Sequence, residues 1–153
     1  TEMKEMPEKI VVSSDHAGYE MKELVKEYLI GRGVSVEDVS SEKLDPLDDY
    51  PVSAFKLAQK ISNKEFGKGI LLCGSGIGAS IAANRYRGVR AALCTSVELA
   101  RLSRLHNDAN VLVIGGRTTS LETVKEMIDT WLSQHFEGGR HQRRIDQLDQ
   151  FGE

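Results

Sequence analysis

A chain of 153 residues is expected to form a single domain with a sizeable core, and its formal net charge of −3 gives no global basic field for nucleic acid or an anionic membrane. No apolar run approaches the roughly 20 residues that span a bilayer, and the charged first residues lack the apolar core of a signal peptide. Two cysteines far apart, without a C-x-x-C pair, argue for a reducing compartment and against a disulfide framework or a zinc site, so the expectation is a cytoplasmic protein with no metal.

Residues 1–8 mix charge with methionine and Pro7 and read as a flexible extension; residues 9–153 are expected to form the domain. Ile10, Val11 and Val12 suit a buried parallel strand, which stops at Ser13-Ser14-Asp15-His16-Ala17-Gly18. Met21, Leu24, Val25, Tyr28 and Leu29 recur with helical spacing, and Gly31 and Gly33 close that helix. Val34, Val36 and Val39 make a second strand. A polar, acidic stretch leads to Pro51, which suits a first helical position, and Ala54, Leu57, Ala58 and Ile61 supply the buried stripe that follows.

The third strand, residues 69–73, is Gly-Ile-Leu-Leu-Cys. Gly74, Gly76 and Gly78 follow it, and small helix formers resume at Ala79. Glycines let backbone N–H groups approach a ligand, and the first turn of a helix is partly positive, so an anion is expected here. A thiol at that corner has its pKa lowered, and a thiolate is a better base or nucleophile than a thiol. The bland alternative is a core cysteine beside an ordinary glycine turn.

A fourth strand, residues 89–93, ends at Cys94, which reads as packing. Thr95-x-x-Glu98 fits a capping box, and Leu99, Leu102 and His106 share one helical face. Strand five, residues 111–114, precedes Gly115-Gly116-Arg117. Thr119-x-x-Glu122 fits a second capping box, opening a helix with Leu121, Val124, Ile128 and Leu132 on one side. After Gly138-Gly139, residues 140–148 are locally basic. The outer faces of these helices give no unambiguous apolar patch.

This alternation describes an α/β, three-layer, Rossmann-like domain: a five-stranded parallel sheet of order 2-1-3-4-5 with helices on both faces. Ligands bind such sheets beyond the carboxyl ends of the strands, where the order reverses. Strands one and three flank that point, so Asp15 and His16 are expected to face residues 73–78, with Arg117 following strand five.

Six short motifs now stand in order: S-D-H-A-G at 14–18, D-Y-P at 49–51, G-I-L-L-C-G-S-G-I-G at 69–78, I-A-A-N-R at 81–85, H-N-D at 106–108 and G-G-R-H at 138–141. Over residues 10–149 the chain resembles the type B ribose-5-phosphate isomerases, in the family that also holds galactose-6-phosphate isomerase subunits. The resemblance implies an aldose–ketose isomerase of the pentose phosphate pathway that needs neither metal nor cofactor. It assigns proton transfer between carbons 1 and 2 to Cys73, and the N–H groups of Gly74, Gly76 and Gly78 can hold the enediolate oxygen. Ser75 stands where the family usually has threonine, and its hydroxyl survives for moving protons between substrate oxygens. Another branch of the family uses a glutamate just after the last glycine; Ala79 stands there, which favours the cysteine branch.

Ring opening falls by resemblance to His106, whose type of side chain exchanges protons near neutrality, with Asp15 as helper and Asn107 at the enediolate site. Tyr50 lines the sugar pocket in this reading. Arg140 and Arg144, four apart, share a face if the tail is helical and suit a phosphate, with His16 and Arg117 as further candidates. The family completes its site across a dimer, so the C-terminal helix is expected to reach a partner subunit in a homodimer or homotetramer with shared sites.

Other readings stay open at this point. A six-carbon sugar phosphate would use the same groups. A dinucleotide- or flavin-binding module would use Gly74, Gly76 and Ala79, with Glu98 about 20 residues on as the ribose-binding acid. Against that module, the fingerprint follows the third strand, Glu98 is assigned to a capping box, and no Walker lysine follows. A non-catalytic sugar-phosphate sensor would keep the arginines without needing the cysteine. Residue by residue, Asp15 could merely cap a helix, His106 complement a helix dipole, and the arginines form a solvated face.

Overall fold

Period-2 alternation along apolar strands gives the sheet two buried faces. The computed structural model describes residues 8–40 and 44–152. Its strands are β1 (Lys9–Ser14), β2 (Ser35–Asp38), β3 (Lys68–Cys73), β4 (Ala91–Leu93) and β5 (Val111–Gly115), every pair parallel. Six helices follow or separate them: α1 (Tyr19–Gly31), α2 (Tyr50–Ser62), α3 (Ile77–Ala83), α4 (Val97–Asn107), α5 (Leu121–Ser133) and α6 (Arg140–Gln150). Ile10, Val12, Ile70, Leu72, Leu112 and Ile114 pack under α1, α4 and α5. Val11, Leu71, Cys73, Val111 and Val113 pack under α2 and α3 on the opposite face.

The strand order is β2-β1-β3-β5-β4, which corrects the expected 2-1-3-4-5. All residues of β5 are buried, whereas the three residues of β4 are only partly so. An unbroken Val-Leu-Val-Ile run gains most between two neighbours, and a short Ala-Ala-Leu tolerates the edge. Handedness agrees. The step from β3 to β4 moves outward under α3, and the return to β5 carries α4 to the other face, so both crossovers share one hand, as the rule for parallel units requires. The order still reverses between β1 and β3.

Several helix expectations shift in register. Ser96 caps α4, accepting from the Leu99 N–H at 3.2 Å, and Ser120 caps α5, accepting from the Thr123 N–H at 3.3 Å. The caps therefore stand one residue after the expected Thr95 and Thr119, and with Leu99 and Thr123 three residues on, neither forms the expected capping box. Helix α4 buries Ala100, Ser103 and Arg104 and leaves Leu99 exposed. Arg104 is tolerated inside because its guanidinium bonds the Ala109 carbonyl and the Asp108 carboxylate, both at 2.8 Å. Lys22 likewise replaces Leu24 on the buried face of α1, paired with Asp38 at 2.8 Å. The stripe read for α2 is buried as expected.

Of the expected extension, residues 1–7 lie outside the described residues. Glu8 accepts from the Ser35 N–H at 3.2 Å and pairs with Lys68 at 3.1 Å. Among the described residues no helix is long and apolar enough to cross a membrane. Leu112, fully buried in the interior strand β5, tests the corrected order. Leu112→Ala is expected to cost about 2–5 kcal/mol, read from the midpoint of chemical denaturation; a loss below about 1 kcal/mol would fit an edge strand instead.

Candidate active site

At the carboxyl end of the sheet, three strand ends meet. The Gly116 N–H donates to the Cys73 carbonyl at 2.7 Å and the Arg117 N–H to the Gly74 carbonyl at 3.0 Å. These bonds exist because β5, not β4, is the neighbour of β3. They place Arg117 beside the cysteine loop more closely than the expected order allowed. Within the loop, the Gly76 N–H donates to Cys73 Sγ at 3.1 Å, and the Ile77 N–H donates to Ser75 Oγ at 3.2 Å. Gly76 holds φ at +82°, and a Cβ there would meet Leu93 at 2.5 Å, so only glycine fits this corner. Cys73 is buried, while Ser75 and Arg117 are exposed.

Across the order reversal, Asp15 Oδ1 accepts from the Gly18 N–H at 3.0 Å and caps a 3-10 turn, His16–Gly18, before α1. Gly18 packs on the end of β3, where a Cβ would lie 2.6 Å from the Leu72 carbonyl carbon. The Tyr50 ring sits over Gly78, at the rim of the same corner. His16 is fixed by a residue to which the sequence assigns no role. Its N–H donates to Asp48 Oδ1 at 3.0 Å, and its Nδ1 lies 2.8 Å from the same oxygen. This hydrogen bond, aided by the nearby Asp15 charge, raises the His16 pKa above 6.5 against partial burial and the Arg117 charge. No spacing rule connects positions 16 and 48, so only the folded chain reveals the pair.

His106 and Asn107 end α4, just before β5 begins at Val111, and so lie toward the amino end of the sheet. The register pairs Gly69 with Val111 and Cys73 with Gly115, which puts about 13 Å of strand between the two ends. Arg140 and Arg144 start α6, which docks on the end of α4: the His106 and His141 rings stack with centroids 4.5 Å apart. Both arginines are exposed. A cavity of about 990 Å³ opens at this end, lined by Arg85, Tyr86, Asn107, Leu148 and Phe151 among others. One chain thus gathers Asp15, His16, Tyr50, residues 73–78 and Arg117 at one end, and His106, Asn107, Arg140 and Arg144 at the other.

Among the described residues, two clusters bring possible metal ligands within 4.8 Å of one another: Asp15, His16 and Asp48, and His106, Glu137 and His141. In the first, His16 Nδ1 and one oxygen each of Asp48 and Asp15 are engaged in the Asp48–His16 bond and the Gly18 cap. Cys94 is buried, its pKa pushed up to about 11 by burial, which fits packing rather than chemistry. Glu98 pairs with Arg101 at 3.0 Å, so it is not placed as a ribose-binding acid, although its partner is not Thr95.

The sequence profile of the ribose/galactose isomerases matches residues 10–148. The chain belongs to this family. It is 43% identical over 143 residues to ribose-5-phosphate isomerase B of Escherichia coli, an alignment covering 92% of this chain and 93% of that one. Among solved structures, a ribose 5-phosphate isomerase of Thermotoga maritima is 52% identical with a TM-score of 0.89, covering 92% of this chain and 97% of the other. Ribose-5-phosphate isomerase B from Mycoplasma genitalium, solved with bound ribulose-5-phosphate, is 40% identical with a TM-score of 0.91, over 96% and 97%. In family terms, then, the α/β fold with its parallel five-stranded sheet is that of an aldose–ketose isomerase.

The Asp48–His16 bond gives a measurable signature. A raised histidine pKa means that the stability this pair contributes is fully present below pH 6.5 and is lost as pH rises through the folded-state value. His16 is expected to titrate above 6.5 by NMR in the native protein and to move down in Asp48→Asn; an unchanged titration would break the assignment.

Proposed function

We propose that this chain interconverts ribose 5-phosphate and ribulose 5-phosphate through ring opening and an enediolate. The observation that carries the reading is the Cys73 corner: a thiol at a strand end, with the Gly76 N–H 3.1 Å from its sulfur and Asp15, His16 and Arg117 grouped around it, in a chain of this family. Cys73, as the base, takes the proton from carbon 2 of the aldose and returns it to carbon 1. As charge develops on the enediolate oxygen, backbone donors stabilise it. The Gly76 and Ile77 N–H groups are committed to Sγ and to Ser75 Oγ, which leaves those of Gly74, Ser75 and Gly78 for that oxygen. The Ser75 hydroxyl passes protons between the two substrate oxygens.

His106 opens the sugar ring, with Asp15 as the hydroxyl partner and Asn107 beside the enediolate. Arg140 and Arg144 hold the phosphate, and His16 and Arg117 add positive charge or hydrogen bonds to the sugar. Because the two groups of residues stand at opposite ends of one sheet, the complete site is built from two copies. Each site takes the Cys73 end of one subunit and the partner's His106 and Arg140 end, a two-fold arrangement that gives two equal sites in a dimer and serves a tetramer equally. Exposed Tyr50, Val52, Phe55, Ile77 and Ile81 flank the cysteine corner and supply an apolar surface for the second copy. Two free cysteines suit the reducing cytoplasm, where we place the enzyme.

The test is turnover of ribose 5-phosphate with a chelator present. The native protein is expected to be active, and folded Cys73→Ala to lose about 10²–10⁴-fold in rate. The Arg140→Ala, Arg144→Ala double variant is expected to raise KM about 10–100-fold with a smaller change in kcat. Activity surviving in Cys73→Ala would overturn the proton shuttle, and turnover of six-carbon sugar phosphates alone would move the substrate assignment.

A further inference from the structure

The joint between α4 and α6 holds a convergence of donors that the isomerase reading uses only in part. His106 Nε2 lies 3.8 Å and His141 Nε2 3.9 Å from the same Glu137 carboxylate oxygen. Neither separation is a hydrogen bond. Both are somewhat longer than the roughly 3.3 Å between ligands of a tetrahedral zinc with bonds of about 2.0–2.1 Å. His141 is 5% exposed, and its Nε2 is buried without a hydrogen-bond partner among the described residues. A buried nitrogen left in that state calls for a partner. The Glu137 N–H donates to the Leu105 carbonyl at 3.0 Å, so the carboxylate-bearing segment is tied to α4 one residue from His106.

We propose that His106, Glu137 and His141 bind a zinc-class divalent cation, and that the bound ion withdraws His106 from ring opening and so inhibits the isomerase. Two imidazoles and one carboxylate are a zinc donor set, unlike the all-oxygen sets that hold magnesium or calcium. The buried His141 anchors the ion. The half-exposed His106 and the exposed Glu137 close on it, the rings opening from their 20° stack. Arg140 and Arg144 nearby oppose the cation's charge, which keeps binding reversible. The inhibitory half of this inference rests on the role of His106 in the proposed function; the binding half does not.

Zinc alone is titrated into the full chain against a chromophoric chelator, for the native protein, Glu137→Gln, His141→Gln and Cys73→Ala. One zinc per chain is expected in the native protein and in Cys73→Ala. Binding should weaken at least about tenfold in each of the other two, the loss that even an outer-sphere partner causes. Excess magnesium should not compete. Glu137 lies at the surface, so its variant reports even if His141→Gln fails to fold. No zinc binding by folded native protein, or equal binding after either ligand is replaced, overturns the site. Loss of binding in Cys73→Ala assigns the metal to the thiol and overturns it equally. Turnover should fall as zinc fills the site, return with chelator, and resist zinc in Glu137→Gln; full turnover with zinc bound overturns the inhibitory half. A native chain that turns over no sugar phosphate removes the isomerase reading and the inhibitory half together, while the titration still decides the metal site.

Discussion

Two hydrogen bonds that carry the β3–β5 ladder one step past the strands hold the rest of the site in place. The Gly116 N–H on the Cys73 carbonyl and the Arg117 N–H on the Gly74 carbonyl, at 2.7 and 3.0 Å, fix the turn that presents the thiol. They are available only because β5 sits beside β3. Gly76 then reverses the chain with a positive φ and aims its N–H at the sulfur. A β4 neighbour would have put Cys94 and the start of α4 there instead, with no glycine turn and no Arg117.

The same parallel sheet imposes a second constraint. Every βα step leaves its loop at the carboxyl end, and every helix returns its last residues to the amino end. His106, at the end of α4, is therefore separated from Cys73 by the length of the strands, and α6 docks with it at that far end. On the proposed reading, an enzyme whose base and ring-opening histidine lie at opposite ends of one sheet works only as an assembly. Cooperation between copies is then a consequence of α/β topology, with no special device required.

Much of this is legible in the residues. The Gly-Ile-Leu-Leu-Cys run with its three glycines identifies the strand, the turn and the helix start, and the crevice between strands one and three follows from topology. The strand order does not, because adjacency in sequence is a poor guide to adjacency in space; the burial of β5 at every residue is the contrary signal. Capping residues slip by one because Ser96 and Thr95, like Ser120 and Thr119, offer the same hydroxyl at neighbouring positions. Lys22 and Arg104 hide the true inner faces of their helices, since a long charged side chain can be buried when its charge is paired with a carboxylate. Ile77 and Ile81 do not read as a surface patch because small, apolar α3 resembles a buried helix from end to end, yet both are exposed. The Asp48–His16 bond, 32 residues apart in sequence, has no local signature at all.

The central claim is that the site is shared between copies, and complementation tests it most directly. Cys73→Ala and His106→Ala chains, each inactive alone, are dissociated, mixed in equal amounts and reassembled. Random pairing makes about half the dimers mixed, each with one intact site, so activity should return to about a quarter of the native level. Mixed assemblies demonstrably present but still inactive would mean that Cys73 and His106 serve the same chain's site, and would contradict a site shared between copies.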